Sequence, residues 1–335
     1  MFALYPSAQL SLSYSEARSK LHKVMTILKA SPQTGIQDGG RFGFAHLGIT
    51  QGGVADEYSY HWANKLLGNP FSSAVIEVTL GGFEAVIHQD TCIAITGATS
   101  PVLLDGAVAP TWQCIKVKKG QHISIPLPRN GLRYYIALPG GIDAPLHHRS
   151  LSTVHKEGLG GLQSNGEHLV KGDLIYARLP YANNAKQVAV AARYIPKFKP
   201  SHSTNLNVIL GSQYRTFSQQ ALDELFHSHY CVGKQSNKMG YQMSGNAIDS
   251  PKQHLISEAI SLGAIQIPPN GQPIIMLCER QTIGGYPKVG NVARMDLGKL
   301  AQLKPGDKVN FVKSDVDKCM REYTQWLRFF QNTTS

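Results

Sequence analysis

The residues with the most chemistry to offer stand together late in the chain, in Cys278-Glu279-Arg280-Gln281-Thr282-Ile283-Gly284-Gly285-Tyr286-Pro287-Lys288-Val289-Gly290. They follow Gln272-Pro273-Ile274-Ile275-Met276-Leu277, an apolar run that reads as a buried strand. A strand that ends in polar residues and then Gly-Gly is a rigid platform for a binding site. On extended backbone Arg280 and Thr282 share one face and Gln281 takes the other. The Arg280 guanidinium is a planar fork suited to a carboxylate or phosphate. Lys288 adds a point charge, and Tyr286 a hydroxyl on an aromatic body. The competing explanation is an internal ion pair of Arg280 with Glu279 or Glu258.

A second polar segment, Thr34 to Gly43, carries Gln37, Asp38 and Arg41 among Gly35, Gly39, Gly40 and Gly43. Glycines let backbone approach a ligand closely, but Asp-Gly is also a strong hairpin signal with a capping Asp; both readings stay open. Lys238, in Ser236-Asn237-Lys238-Met239-Gly240-Tyr241, either faces the same ligand or lies in a solvated turn. Glu258, after Ser257, is a strand-edge hydrogen-bonding residue or an acid/base candidate. No nucleophile or base is assigned. No metal site is expected: His147-His148 is the only adjacent histidine pair, and neighbours on a strand point to opposite faces. A Walker phosphate loop, a dinucleotide fingerprint, a nucleophile elbow and His-Glu-x-x-His are all missing from the sequence.

The elements that must position these residues are mostly strands. Cys92–Thr96, Ile123–Ile125, Tyr134–Leu138 and Leu174–Leu179 are short, β-branched or aromatic, and bounded by turn residues. A helix spans Asp56–Leu67 and stops at Gly68-Asn69-Pro70. A polar, Pro-containing stretch at 182–203 marks a domain boundary. Beyond it come strands at Asn207–Leu210, Ala264–Ile267, Pro273–Cys278 and Val309–Val312. Helices are expected at Ser218–Phe226, with Ser218 as N-cap, at Asp296–Leu303 and at Asp317–Phe330. The expected organisation is a 1–24 extension, a first β domain over 25–200, a second over 201–315 and a helical tail over 316–335. Residues 1–24 lack the apolar core of a secretory signal, and the strand character begins at Met25, which reads as the true start.

The chain has 335 residues, 42% apolar and 16% charged, enough apolar material for sizeable cores. No apolar run approaches the ~18 residues of a membrane helix, so no membrane is expected. Five well-separated cysteines without a Cys-x-x-Cys pair fit a reducing cytoplasm. The net charge of +11 is scattered. Its densest cluster, Lys116 to Lys119, reads as a strand edge turning at Gly120, with no interleaved aromatics, so no nucleic acid is expected.

Read in order, Gly35-Ile36-Gln37-Asp38-Gly39-Gly40-Arg41, Ala63-Asn64-Lys65-Leu66-Leu67-Gly68-Asn69, Glu77-Val78-Thr79-Leu80-Gly81-Gly82, Thr96-Gly97-Ala98, Pro139-Gly140-Gly141-Ile142, Met239-Gly240-Tyr241 and Arg280-Gln281-Thr282-Ile283-Gly284-Gly285-Tyr286-Pro287 resemble one family. It is the family of the 5-oxoprolinase C subunit, also described as allophanate hydrolase subunit 2 or the KipI antagonist, and is similar to part of the carboxyltransferase domain of urea carboxylase. The resemblance runs from about Met25 to Lys313 and implies tandem cyclophilin-like β-barrel domains. It implies two partner chains, a KipI-like B subunit plus an A subunit, together with a small-molecule substrate. The implied reaction is ATP-dependent opening of 5-oxo-L-proline to L-glutamate, with ATP bound by this chain or by the complex. The alternatives it implies are a biotin-dependent carboxyltransferase component or a non-catalytic regulator. The sequence has no Met-Lys-Met biotin-attachment site. It also departs from the family pattern: Leu151 stands where an Arg is expected in Arg149-Ser150-Leu151-Ser152-Thr153, and Asn237-Lys238 replaces Asp-Arg.

Overall fold

The computed structural model of the chain describes residues 21–178, 188–198, 203–251 and 256–331. Apolar alternation sets most strands. In Phe83–Ile87 the side chains of Phe83, Ala85 and Ile87 are buried while Glu84 and Val86 are half-buried, the pattern of a sheet with one wet face. Val75–Thr79 is buried throughout, so both of its faces are covered.

The fold is mainly β, in two units. In the first, a six-stranded sheet runs in the order Leu174–Ala177, His22–Lys29, Phe83–Ile87, His122–Ile125, Val102–Leu104, Ala107–Ala109. A five-stranded sheet runs Gly35–Gln37, Val75–Thr79, Arg133–Ala137, Thr91–Gly97, Cys114–Val117. Their inner faces enclose one core, with Met25, Ile27, Phe83 and Ile123 from the first sheet against Ile76, Val78, Ile95 and Ile136 from the second. The second unit is a closed barrel of Thr204–Leu210, Lys288–Val292, Ala264–Gln266, Ile274–Met276, Gly240–Ser244, Tyr230–Val232 and Lys308–Lys313. It packs around its own core, which includes Leu206, Tyr241, Ile265, Ile275 and Phe311.

Four α-helices are described: α1 at Glu57–Leu66, α2 at Gln219–His227, α3 at Arg294–Ala301 and α4 at Val316–Gln331. The Asp56 carboxylate accepts from Ser59 N and the Ser218 hydroxyl from Ala221 N, the side-chain caps that start α1 and α2. Among the described residues no helix is long and apolar enough to cross a membrane.

Three expectations change. The first strand starts at His22, not Met25, because His22 and Lys23 pair with Ala177 and Tyr176. Val24 is fully buried in the first core, so a chain beginning at Met25 would lack a core residue. Of the expected extension, 1–20 lies outside the described residues. Second, the C-terminal helix, expected as a helical tail, is tied to the first unit. Its Phe330 ring lies 5.3 Å from Trp62 and 6.1 Å from Tyr58, and Lys65 Nζ donates to Phe329 O at 3.0 Å, so α4 leaves the second unit and packs on α1 of the first. Third, the expected 182–203 boundary lies partly outside the described residues, and Val190 N donates to Trp112 O at 2.9 Å, which ties the segment after 187 to the first unit.

Candidate functional site

Alternation along the five-stranded sheet turns Val75, Glu77, Tyr135 and Ala137 away from the first core. There Val75, Tyr135 and Ala137 pack with α1, and Glu77 meets Lys238 of the second unit. The result is a polar stripe buried between the two units. Glu77 Oε2 accepts from Ala55 N at 2.8 Å, and Glu77 Oε1 lies 3.1 Å from Lys238 Nζ. The same ammonium lies 3.1 Å from Glu279 Oε1. Arg133 donates to the Tyr241 hydroxyl at 2.9 Å and to the Ala301 carbonyl. Gln302 Oε1 accepts from Leu132 N and Arg133 N, while its Nε2 donates to Asp56 Oδ2 at 2.9 Å. Burial alone would raise the Glu77 pKa, but Lys238, Arg133 and the Ala55 N–H hold it below the ordinary carboxylate value.

Lys238 is therefore not a free ligand-binding cation. Removing it from water would lower its pKa, yet Glu77 and Glu279 more than compensate and raise it. It clamps barrel to sheet. Lys288 is similarly engaged: its Nζ lies 2.6 Å from Glu258 Oε1, and Gln213 Nε2 also donates to that carboxylate. Glu258 pairs with Gly284 in a two-stranded ribbon, Glu258–Ala259 with Ile283–Gly284, so Lys288 and Glu258 brace the ribbon. These two corrections have one cause: each cation meets a carboxylate distant in sequence.

The Gly35 loop is also more structural than its composition suggests. Asp38 Oδ1 accepts from Ser150 Oγ and Ser152 Oγ, both at 2.6 Å, and from Gly40 N at 2.8 Å; Oδ2 accepts from Leu151 N at 2.7 Å. Its lone pairs are spent on pinning the 150–152 loop, which corrects its assignment as a ligand contact. Leu151 itself is buried in the first core, so the residue in the expected arginine position packs rather than binds. The His147–His148 pair sits in a tight turn closed by His147 N and Ser150 O at 2.8 Å, not on a strand.

Gln37 and Arg41 keep open valences. Gln37 Nε2 donates to Thr153 O at 3.0 Å, but its Oε1 is buried without a partner. Arg41 donates to the carbonyls of His147 and Ser152, yet its buried NH1 has no acceptor. A Cβ added at Gly52, where φ is +63°, would sit 3.1 Å from that NH1 and 2.7 Å from Val154, so only glycine fits. Gly52 N donates to Cys278 O at 2.9 Å, which lays the 39–53 loop against the strand end that carries Arg280.

Arg280 differs from the other cations. Its Nε donates to Ile260 O at 2.9 Å, and its NH1 reaches Gln51 Oε1 and Leu277 O, both at 3.3 Å. It is half-buried, and burial lowers its pKa from the ordinary value. Glu279 is held by Lys238 and Glu258 by Lys288, so neither supplies the internal ion pair that the sequence left open. Among the described residues, Arg280 is a half-buried cation on neutral acceptors, with Gln51 contributed from the other unit. Gln281 is exposed, Thr282 O accepts from Ile260 N at 3.0 Å, and Tyr286, just after the ribbon, is 45% exposed.

Gln51, Glu77 and His168 were missed from sequence. His168 lies close to Gly35 and has a buried Nδ1 without a partner, and burial and His155 lower its pKa from the ordinary value. Glu77 did have a signal, since it is the one charged residue in Val-Ile-Glu-Val-Thr. Cys278, also at this junction, is buried, and burial pushes its thiol up to about 12, which disfavours the thiolate. What the junction brings together is the Arg280 guanidinium and the Gln51 carboxamide, groups whose chemistry suits a small anion.

A two-unit β fold keyed together in this way defines a class. The sequence matches the family described as carboxyltransferase domain, subdomain A and B, over residues 47–313, and the chain belongs to that family. It is 32% identical over 309 residues to the C subunit of 5-oxoprolinase from Escherichia coli, covering 92% of this chain and 97% of that relative. To the C subunit of 5-oxoprolinase from Haemophilus influenzae it is 30% identical over 300 residues, covering 86% and 90%. Among solved structures, the urea carboxylase of Kluyveromyces lactis superposes with a TM-score of 0.85 and 27% identity over 93% of this chain; the chain spans only 29% of that protein.

Proposed function

We propose that the chain is one component of an ATP-dependent amidohydrolase complex that opens 5-oxo-L-proline to L-glutamate. The observation that carries this reading is Arg280, a half-buried guanidinium at the junction with no carboxylate of its own. 5-Oxoproline offers one carboxylate and one lactam. Its carboxylate would complete the Arg280 fork, with the Gln51 carboxamide turning to the lactam. ATP bound in the complex would supply the phosphoryl group that makes the lactam carbonyl a good electrophile. Arg280 and Gln51 would orient the substrate, and the closed contact between the 39–53 loop and Cys278 would limit water. The near end-to-end similarity to relatives named as the C subunit of 5-oxoprolinase supports the substrate. The KipI-like B subunit together with the A subunit are the partners in this reading, the compartment is cytoplasmic, and the chain alone is inactive.

A second reading is favoured by the superposition on urea carboxylase: transfer of a carboxyl group from biotin carried by another protein. Reconstitution decides. The expected result is 5-oxoproline and ATP consumption only when this chain and both partners are present. Turnover by the chain alone would refute the dependence on partners. If the full set is inert but transfers carboxylate from carboxybiotin, the second reading replaces the first; if it does neither, the chain is a regulator.

A further inference from the structure

Two neighbouring cavities lie at the seam where the segment 196–198 passes between the units, away from Arg280. One, of about 190 Å³, is mainly apolar and ringed by Tyr58, Phe198, Tyr323 and Trp326. Its charged neighbours are already spent. Arg294 forms a paired fork on Glu57, with NH2 2.6 Å and Nε 3.1 Å from its oxygens, and Asp56 is occupied by Ser59 and Gln302. The indole of Trp326 lines the slot as an aromatic wall beside Tyr58, Phe198 and Tyr323. The other cavity, of about 520 Å³, shares Pro196, Phe198 and Lys299 as walls and adds Arg129, Lys197 and Lys304.

The charges around the larger cavity do not balance. Lys299 is paired with Asp296 at 2.6 Å, and Lys304 donates to the carbonyls of Pro128 and Arg129. The one carboxylate in the wall, Asp307, accepts from Lys304 N at 2.7 Å. Arg129 and Lys197 make no ion pair with any described residue. An aromatic slot beside a mouth with unpaired cations fits a planar ring system at one end of a ligand and several negative charges at the other.

We propose that this seam binds a nucleoside polyphosphate, with the base among Tyr58, Phe198 and Trp326 and the phosphates over Arg129 and Lys197. The inference deepens the reading above by placing nucleotide on this chain, and rests on that reading only for the choice of ATP as first probe. No Walker loop is needed, because side chains rather than a backbone nest supply the charge.

Calorimetric titration of the full chain with ATP, adenosine and inorganic triphosphate, at constant ionic strength, tests it. Saturable ATP binding is expected, with adenosine and triphosphate each at least tenfold weaker. The double variant Arg129→Ala/Lys197→Ala should weaken ATP at least tenfold and adenosine little, and Phe198→Ala should weaken ATP and adenosine alike. Triphosphate binding as tightly as ATP would reduce the seam to a bare cation patch and overturn the proposal. So would no ATP binding by a chain that supports 5-oxoproline turnover in the reconstituted complex, since the nucleotide would then sit on a partner. ATP binding as expected in a set without 5-oxoproline turnover would keep the site and remove the 5-oxoprolinase reading.

Discussion

Asp38 and Arg280 make an instructive pair. Each is a charged side chain beside a Gly-rich turn, and each stands out in the sequence. Asp38 takes all its donors from its own unit, two hydroxyls and two backbone N–H groups, and every contact is charge-assisted. Arg280 rests on neutral oxygens, one of them from the other unit, with its charge unmatched. The first arrangement is a brace, complete without a ligand. The second leaves the full attraction of a guanidinium for an anion unspent. Lys238 stands between them: it is matched twice over, but across the junction, so it braces the relation of one unit to the other.

The sharpest way to break this contrast is Lys238→Met. It would strand the buried Glu77 carboxylate, and breaking a buried pair from one side costs about 3–5 kcal/mol. The loss should be pH-dependent. Glu77 has a folded pKa below its unfolded value, so its contribution is present above the unfolded pKa and is lost as pH falls through the folded one. Without Lys238 that depression shrinks, so the variant should lose less stability than the parent as pH falls, and the gap between them should be widest at pH 7 and narrow toward pH 4. Urea melts from pH 7 down to pH 4 on the parent, Lys238→Met and Lys238→Met/Glu77→Gln check this. The double variant should recover part of the loss, and equal losses in single and double variants would show that Glu77 and Lys238 are not coupled.

Asp38→Asn should cost less, about 2–3 kcal/mol, the value of one or two charge-assisted hydrogen bonds. The amide keeps one acceptor for Ser150, Ser152 and Gly40 but turns an NH2 toward Leu151 N. The brace reading requires the loss to appear in the thermal melt, with the affinity of the folded fraction for substrate unchanged. Normal stability with weakened substrate binding would move Asp38 back into the site.

What the sequence makes legible follows from what is local. The helix start at Asp56, the cap at Ser218 and the strands around Cys92, Ile123 and Tyr134 depend on residues a few positions apart, and they fall where expected to within a few residues. The start of the first strand does not, because His22 and Lys23 are strand residues only by virtue of Ala177 and Tyr176. The site divides the same way. That a buried strand would give way to polar residues before Arg280 is written in Ile-Ile-Met-Leu and the glycines after it, although the strand ends at Met276 and a turn closed by Arg280 N on Leu277 O separates it from Arg280. That Lys238 belongs to Glu77, and Lys288 to Glu258, depends on how the two units dock and how the ribbon folds back. A lysine in a turn looks the same whether its partner is water or a carboxylate from another sheet.

The smallest expected effect on stability belongs to Arg280→Lys, and it is the most informative. Lysine keeps the positive charge and can still reach the Ile260 or Leu277 carbonyl, so the fold should lose less than about 1 kcal/mol. It cannot present two parallel N–H groups to one carboxylate. If the guanidinium receives the substrate anion, activity of the reconstituted complex should fall at least tenfold, about 1.4 kcal/mol in transition-state stabilisation. The loss should fall mainly in KM if the fork holds the ground state and transition state equally. Should the melting temperature drop sharply while specific activity stays normal, Arg280 would join Asp38 among the braces, and the junction would need another anion receptor; Arg41, whose buried NH1 lacks an acceptor on the other side of Gly52, would be the next residue to substitute.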